Sequence, residues 1–178
     1  SLVIADQLPR LLTWDLAAKV GRELPLVDAA AWRISARPLA DGGVLQWYGN
    51  EFAAGIQGLS ATGERRFAAA LDGGFTLAEL GADGRHLALA PSRGRPEFWR
   101  VDGERATREA IEIGDDMHRW KAIAHSDDGS RTRLAATIEA GDEARVTGFV
   151  VWEIAWAAEG EPTTAHLLHE EGALAREG

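Results

Sequence analysis

Trp120-Lys-Ala-Ile-Ala-His-Ser-Asp-Asp128-Gly129 is the stretch whose reading decides the fold. It holds an aromatic residue, an apolar alternation and then an Asp-Gly pair, and the chain repeats this pattern. The other copies are Trp32-Arg-Ile-Ser-Ala-Arg-Pro-Leu-Ala-Asp41-Gly42 and Phe75-Thr-Leu-Ala-Glu-Leu-Gly-Ala-Asp83-Gly84. Their Asp-Gly pairs lie 42 and 45 residues apart. A second series keeps step with the first: Trp14-Asp15, Ile56-Gln57, Trp99-Arg100 and Trp152-Glu153. Alternation with period two argues for a strand, and Asp-Gly supplies the positive φ of a tight hairpin.

Outward from Trp120 the chain reads as four strands joined by short turns. Trp120 to Ser126 is the first, ending in the turn Asp127-Asp-Gly-Ser130. Thr132 to Glu139 is the second, and Gly141-Asp-Glu-Ala-Arg145 a polar loop. Thr147 to Ala155 is the third, Glu159-Gly-Glu-Pro162 a turn, and Thr163 to His169 the fourth. The preceding unit fits the same template with strands at Gly74–Gly81, Arg85–Pro91, Pro96–Val101 and Ala106–Ile113. Before it stand Ala31–Leu39, Val44–Tyr48, Phe52–Leu59 and Arg65–Leu71. Nearest the N-terminus only Leu11–Leu16 and Arg22–Val27 are clear, with Ser1–Ala5 as a third.

Short strands and turns at a period of about 40–45 residues are the signature of β-propeller blades. The fold expected is therefore all-β: a propeller portion of three and a half four-stranded antiparallel blades within a larger ring. The divisions are 1–28, a partial blade; 29–73, 74–117 and 118–171, full blades; and 172–178, a tail. Strands of 5–9 residues follow from the spacing. Trp14, Ile56, Trp99 and Trp152 are expected at equivalent buried positions on third strands, where Trp→Ala at 99 or 152 costs about 3–5 kcal/mol. Trp99 and Trp152 lie 53 residues apart, and the excess is assigned to the loop around Gly141–Arg145. In a competing reading, 104–124 and 64–71 form amphipathic helices, and the domain is an α+β enzyme or ligand-binding domain with coincidental repeats.

Composition narrows the function. The chain has 178 residues, 46% hydrophobic and 26% charged, enough to bury a core. The formal charge of −9, with dispersed arginines, argues against nucleic acid as a partner. The longest apolar runs, Gly148–Trp152 and Phe67–Leu71, are far too short to span a bilayer, and Ser1–Ala5 lacks the basic start of a signal peptide. The expectation is a cytoplasmic protein that engages no membrane. There is no Cys, which excludes disulfides and thiolate metal sites.

No pattern of residues points to catalysis, a metal or a cofactor. His166-Leu-Leu-His169 has ligand spacing for a helix, but on a strand the two rings point to opposite faces. His125, Ser126 and Asp128 are the residue types of a hydrolytic triad, yet neighbours on one strand and turn rarely converge. Gly58-Leu-Ser-Ala-Thr-Gly63 is not a nucleophile elbow, and the paired carboxylates at 115–116, 127–128 and 170–171 lack a calcium loop. Trp47 and Tyr48 with Phe52 form the candidate partner-binding cluster, placed where the repeat is least regular; the alternative is a core role for all three.

These residues resemble the WD-repeat β-propeller family. The likeness rests on Trp14-Asp15 at a strand end, on Asp41-Gly42, Asp83-Gly84 and Asp128-Gly129 between first and second strands, on the aromatics Trp32, Phe75 and Trp120, and on Trp99 and Trp152. It spans roughly 1–171, and only Trp14-Asp15 matches the family's dipeptide in full. The family's Gly-His pair before the first strand is missing, and Gly114-Asp115 stands near that place. That pair belongs to a hydrogen-bonded set of Asp, His, Ser or Thr, and Trp that such blades often carry. Ala82-Asp-Gly-Arg-His-Leu-Ala-Leu-Ala-Pro-Ser-Arg-Gly-Arg95 is similar to the TolB-type propeller repeat. The resemblance implies a non-catalytic interaction, scaffold or sensor module whose partner is another protein or the remaining half of the same propeller. The alternative is an accessory propeller of a hydrolase whose active site lies outside this chain.

Overall fold

The computed structural model describes residues 2–5, 11–15, 19–24, 33–39, 41–49, 54–71, 74–102, 104–140, 145–158 and 161–172. Its strands form four antiparallel meanders. The first has three strands, β1 (Leu2–Ala5), β2 (Leu11–Asp15) and β3 (Val20–Leu24). The second is β4 (Arg33–Pro38), β5 (Val44–Gly49), β6 (Ala54–Leu59) and β7 (Arg65–Leu71). The third is β8 (Leu77–Leu80), β9 (His86–Ala90), β10 (Glu97–Val101) and β11 (Ala106–Arg108). The fourth is β12 (His118–His125), β13 (Arg131–Ala140), β14 (Arg145–Ala155) and β15 (Thr164–Gly172). No helix forms among the described residues, so 64–71 and 104–124 are strands and turns rather than amphipathic helices. Gly114, with φ at +68°, interrupts the helical path there.

The three Asp-Gly pairs make the same turn. Gly42, Gly84 and Gly129 have φ of +83°, +69° and +71°. Each donates its amide to the carbonyl three residues back, on Leu39, Gly81 and Ser126. In each, the Asp carboxylate accepts the amide two residues on: Asp41 from Gly43, Asp83 from Arg85, Asp128 from Ser130. An Asp holds its own backbone turn, and the following Gly takes the left-handed conformation without penalty.

The chain divides into two compact units, Ser1–Phe75 with Val101–Thr107 and Thr76–Arg100 with Arg108–Gly178. In the first, Leu24 of β3 packs with Ala36, Val44 and Leu59 of the second sheet. The strands β5 and β6 are buried almost throughout. Gly55 and Gly58 of β6 are roofed by the rings of Tyr48 and Phe67, which leave no room for a Cβ. The amide of Gln57 donates to that of Gln46 across the two strands, both buried.

In the second unit, β8 and β12 lie side by side and the third and fourth sheets close on one core. Ala88, Ala90 and Phe98 meet Trp120, Leu134, Ala136, Val150, Ile154 and Trp156. Burying each large side chain contributes about 1.5–3 kcal/mol. Strand lengths run from 3 residues in β11 to 11 in β14, wider than 5–9. Much of the long interval between Trp99 and Trp152 lies in β13 and β14, of 10 and 11 residues, because that hairpin is extended. Arg145 belongs to β14, and 141–144 lie outside the described residues.

Strand register corrects the third-strand series. Pro38 pairs with Val44, Leu80 with Leu87 and His125 with Thr132 just inside the shared turn. Those second-strand residues pair in turn with Leu59, Trp99 and Ile154. Leu59, Trp99 and Ile154 are therefore in step, whereas Ile56 and Trp152 sit three and two residues earlier. An odd offset turns Ile56 to the opposite face; an even one leaves Trp152 on the same face, farther along a lengthened strand.

Candidate functional site: the polar seam between the third and fourth sheets

Polar side chains concentrate where the third sheet meets the fourth. The indole N–H of Trp156 donates to Thr132 Oγ1 at 2.7 Å, in the core. Thr132 Oγ1 lies 2.7 Å from His125 Nδ1, and His125 Nε2 lies 3.0 Å from the carbonyl oxygen of Glu79. A carbonyl only accepts, so Nε2 carries a proton, and in the neutral ring Nδ1 accepts the Thr hydroxyl. The bonds run one way, from Trp156 through Thr132 and His125 to the backbone of β8. Each buried donor thereby has a partner, which avoids a desolvation cost of about 1–3 kcal/mol per group.

A second set lies beside it. The His86 ring stacks on Trp156, with centroids 4.4 Å apart and planes at 21°. His86 Nδ1 stands 2.7 Å from Asp83 Oδ2. A Cβ on Gly129 would stand 2.6 Å from the Asp83 carboxylate, so the Asp83 turn packs directly on the Gly129 turn. Burial pushes the His86 pKa below its usual 6.5; the Asp83 charge pulls the other way and the Arg100 charge adds to the fall. Arg100 staples the two sheets: Nε to Glu109 at 2.9 Å, one guanidinium nitrogen to the Ala157 carbonyl at 2.9 Å, the other to Thr163 Oγ1 at 3.3 Å.

A third set precedes β12. Gly114 takes a positive φ and packs under Trp120, where a Cβ would come within 2.7 Å of the indole. Asp115 holds His118 at 2.7 Å, and that ring lies 6.0 Å from Trp120, near parallel. Trp120 donates to the Gly94 carbonyl at 2.6 Å. The His118 hydrogen bond keeps Asp115 below the ordinary carboxylate range.

The fold so built also occurs in solved structures. The β-propeller domain of Cps50 (Swd1) from Myceliophteria thermophila superposes with a TM-score of 0.58 at 19% identity, over 94% of this chain and 52% of that one. The tricorn protease gives 0.55 at 15% identity, over 92% of this chain and 15% of that one. Hydrazine synthase from Kuenenia stuttgartiensis gives 0.53 at 13% identity, over 89% and 48%. The fold is that of a β-propeller, present in part. The chain spans about half the length of the Swd1 propeller domain it matches. No protein-family profile matches the sequence, and no curated protein matches it.

Against this geometry the sequence candidates fall as follows. Trp47 is 3% exposed and offers a partner no side chain; its strand is buried on both faces. Tyr48 is half-buried over Gly55. Phe52 and Trp32 lie outside the described residues, as do the side chains of Trp14 and Asp15. Trp99 is buried and donates to Glu97 at 3.0 Å, while Trp152 is only half-buried. Ser126 and Asp128 bond each other at 2.6 Å within their turn, and His125 faces Thr132 instead. Those bonds, from the Ser126 hydroxyl first and then Ser130, lower the Asp128 pKa to about 2. Sequence reasoning missed Trp156 and Thr132. The available signal was a second Trp four residues after Trp152, set against a Thr in the second position after the turn.

Proposed function

We propose that the chain is a non-catalytic interaction module, one portion of a β-propeller that works within a larger ring or assembly. One observation carries this reading: among the described residues, those of the candidate triad, His125, Ser126 and Asp128, are committed to structure. His125, Thr132 and Trp156 tie one sheet to the next, Ser126 and Asp128 shape a turn, and Asp83 and His86 brace the adjoining turn. Groups spent on fixed bonds in a seam hold a scaffold in place, and a propeller scaffold works by presenting surfaces. Tricorn is a protease, and likeness to it favours a second reading, an accessory propeller beside a catalytic domain.

Light scattering on the purified chain tests the partial-ring reading. Three and a half blades leave sheet faces that a closed ring would cover. The expected result is a species heavier than 19.2 kDa, or a chain that becomes stable only with a complementary segment. A monodisperse, stable monomer of 19.2 kDa would contradict it.

A further inference from the structure

The fourth sheet ends in a strand unlike the other outer strands. β15 has 9 residues, against 7 in β7 and 3 in β11. Among the described residues it pairs with β14 alone, so one row of its N–H and C=O groups faces outward. Apolar exposure gathers there. The exposed large hydrophobics among the described residues are six, and four of them, Val146, Phe149, Leu167 and Leu168, lie on β14 and β15. Leu167 and Leu168 are 44% and 49% exposed. Leu167 stands across from Trp152, whose indole N–H is buried without a hydrogen-bond partner among the described residues. Phe149 stacks with His169, 4.9 Å between centroids, at the far end of the same strand pair.

A long apolar edge is an aggregation hazard unless it is blocked or used. The blocking devices here are partial. A register shift falls at Leu168, and exposed Glu170 and Glu171 close the C-terminal end. These carboxylates leave Thr164 to Leu168 open and are part of a chain whose net charge is −9.

We propose that β15 is a docking edge for an extended segment of a partner protein, with alternating apolar residues and basic residues among them. The backbone of the segment would complete the ladder, its apolar side chains would cover Leu167 on the face it shares with Trp152, and its cations, on the opposite face, would meet Glu171 beside Phe149. This rests on the interaction-module reading and names the partner's chemistry.

Amide hydrogen exchange at Thr164–Gly172 tests it. The probe is an acetylated peptide of about eight residues alternating Val and Lys, long enough to span the strand; the control alternates Val and Glu. The Lys peptide is expected to slow exchange in β15 by about tenfold or more while leaving β9 and β10 unchanged. The protection should vanish in Leu167→Lys/Leu168→Lys and weaken in Glu170→Gln/Glu171→Gln. Both double variants alter exposed side chains, and circular dichroism verifies their fold. Protection by neither peptide overturns the proposal, and equal protection by both overturns its charge selectivity. Protection that rises with protein concentration alone assigns the edge to a second copy and overturns the chosen occupant. The light-scattering mass of the wild type should persist in the leucine variant, because ring completion uses sheet faces; this separates failure at the edge from failure of the partial-ring reading.

Discussion

The third and fourth sheets share one turn chemistry and one core, yet they treat their two faces differently. In the third sheet β9 and β10 are buried nearly throughout, on both faces. In the fourth, Thr132, Leu134, Ala136, Val150 and Ile154 are buried on one face, while Arg131 and Arg133 on the other are exposed. Register makes the contrast specific. Phe98 pairs with Ala88 in the third sheet; at the same positions of the fourth, Glu153 pairs with Arg133. Glu153 is held by Arg131 and Arg133, each at 2.9 Å, and Arg133 first among them depresses its pKa. The position that is apolar where a further sheet covers it is an ion pair where the fourth sheet turns outward.

The sharpest way to break this comparison is to truncate both members of the matched pair. Phe98 is fully buried and meets Trp156 edge-on at 6.1 Å, so Phe98→Ala should destabilise by about 3–5 kcal/mol in urea unfolding. Glu153 is itself only 6% exposed but is held by two exposed arginines, so Glu153→Ala should cost less, about 1–3 kcal/mol. Equal losses would mean the fourth sheet is covered on both faces. Trp99→Ala belongs with Phe98, whereas Trp152→Ala, at a half-buried position, should cost about 2 kcal/mol.

The two Asp-Gly turns sharpen the contrast further. An alanine at Gly84 meets nothing within 4 Å and carries only the left-handed penalty, about 1 kcal/mol. At Gly129 the same Cβ collides with the Asp83 carboxylate, and about 2–3 kcal/mol is expected. Thermal unfolding of both variants checks the difference. Similar melting temperatures would detach the Asp83 turn from the Gly129 turn.

Next in size is Thr132→Val. It keeps the shape but strands the Trp156 N–H and His125, so about 1–3 kcal/mol should be lost. The matched position in the third sheet is Leu87, already apolar, which shows that the hydroxyl is needed for the seam and not for the strand. A neutral result would remove the Trp–Thr–His relay from the account.

The smallest expected effect is on pH. Burial lowers His86 in the folded state, so below about pH 6.5 the unfolded chain binds a proton that the folded chain does not. Stability is then full above pH 6.5 and falls as pH drops toward the folded pKa. His86→Phe should flatten this stretch of the profile, measured by denaturant midpoints across pH. A profile unchanged by the substitution would place the titration elsewhere.

The meanders and their Asp-Gly turns were legible because both depend on local chemistry: alternation, Gly at positive φ, and an Asp that bonds its own turn. Turn positions reveal themselves in sequence, whereas the register of a third strand depends on hairpin length, which differs between β9–β10 and β13–β14. For that reason Trp152 was matched to Trp99 when Ile154 holds the place. Trp47 shows a related limit. An aromatic in an irregular stretch reads as exposed or buried alike until both faces of its strand are seen. The seam was hidden because Glu79, His125, Thr132 and Trp156 come from three strands and one following loop, and only packing of one sheet on the next joins them.

Native-state hydrogen exchange on the chain alone tests most directly the claim that the third sheet is closed on both faces and the fourth on one. Amides of β9 and β10 should exchange only through global unfolding, and those of β15 at least about a hundredfold faster through local opening. Uniform protection from β9 through β15 would contradict the account.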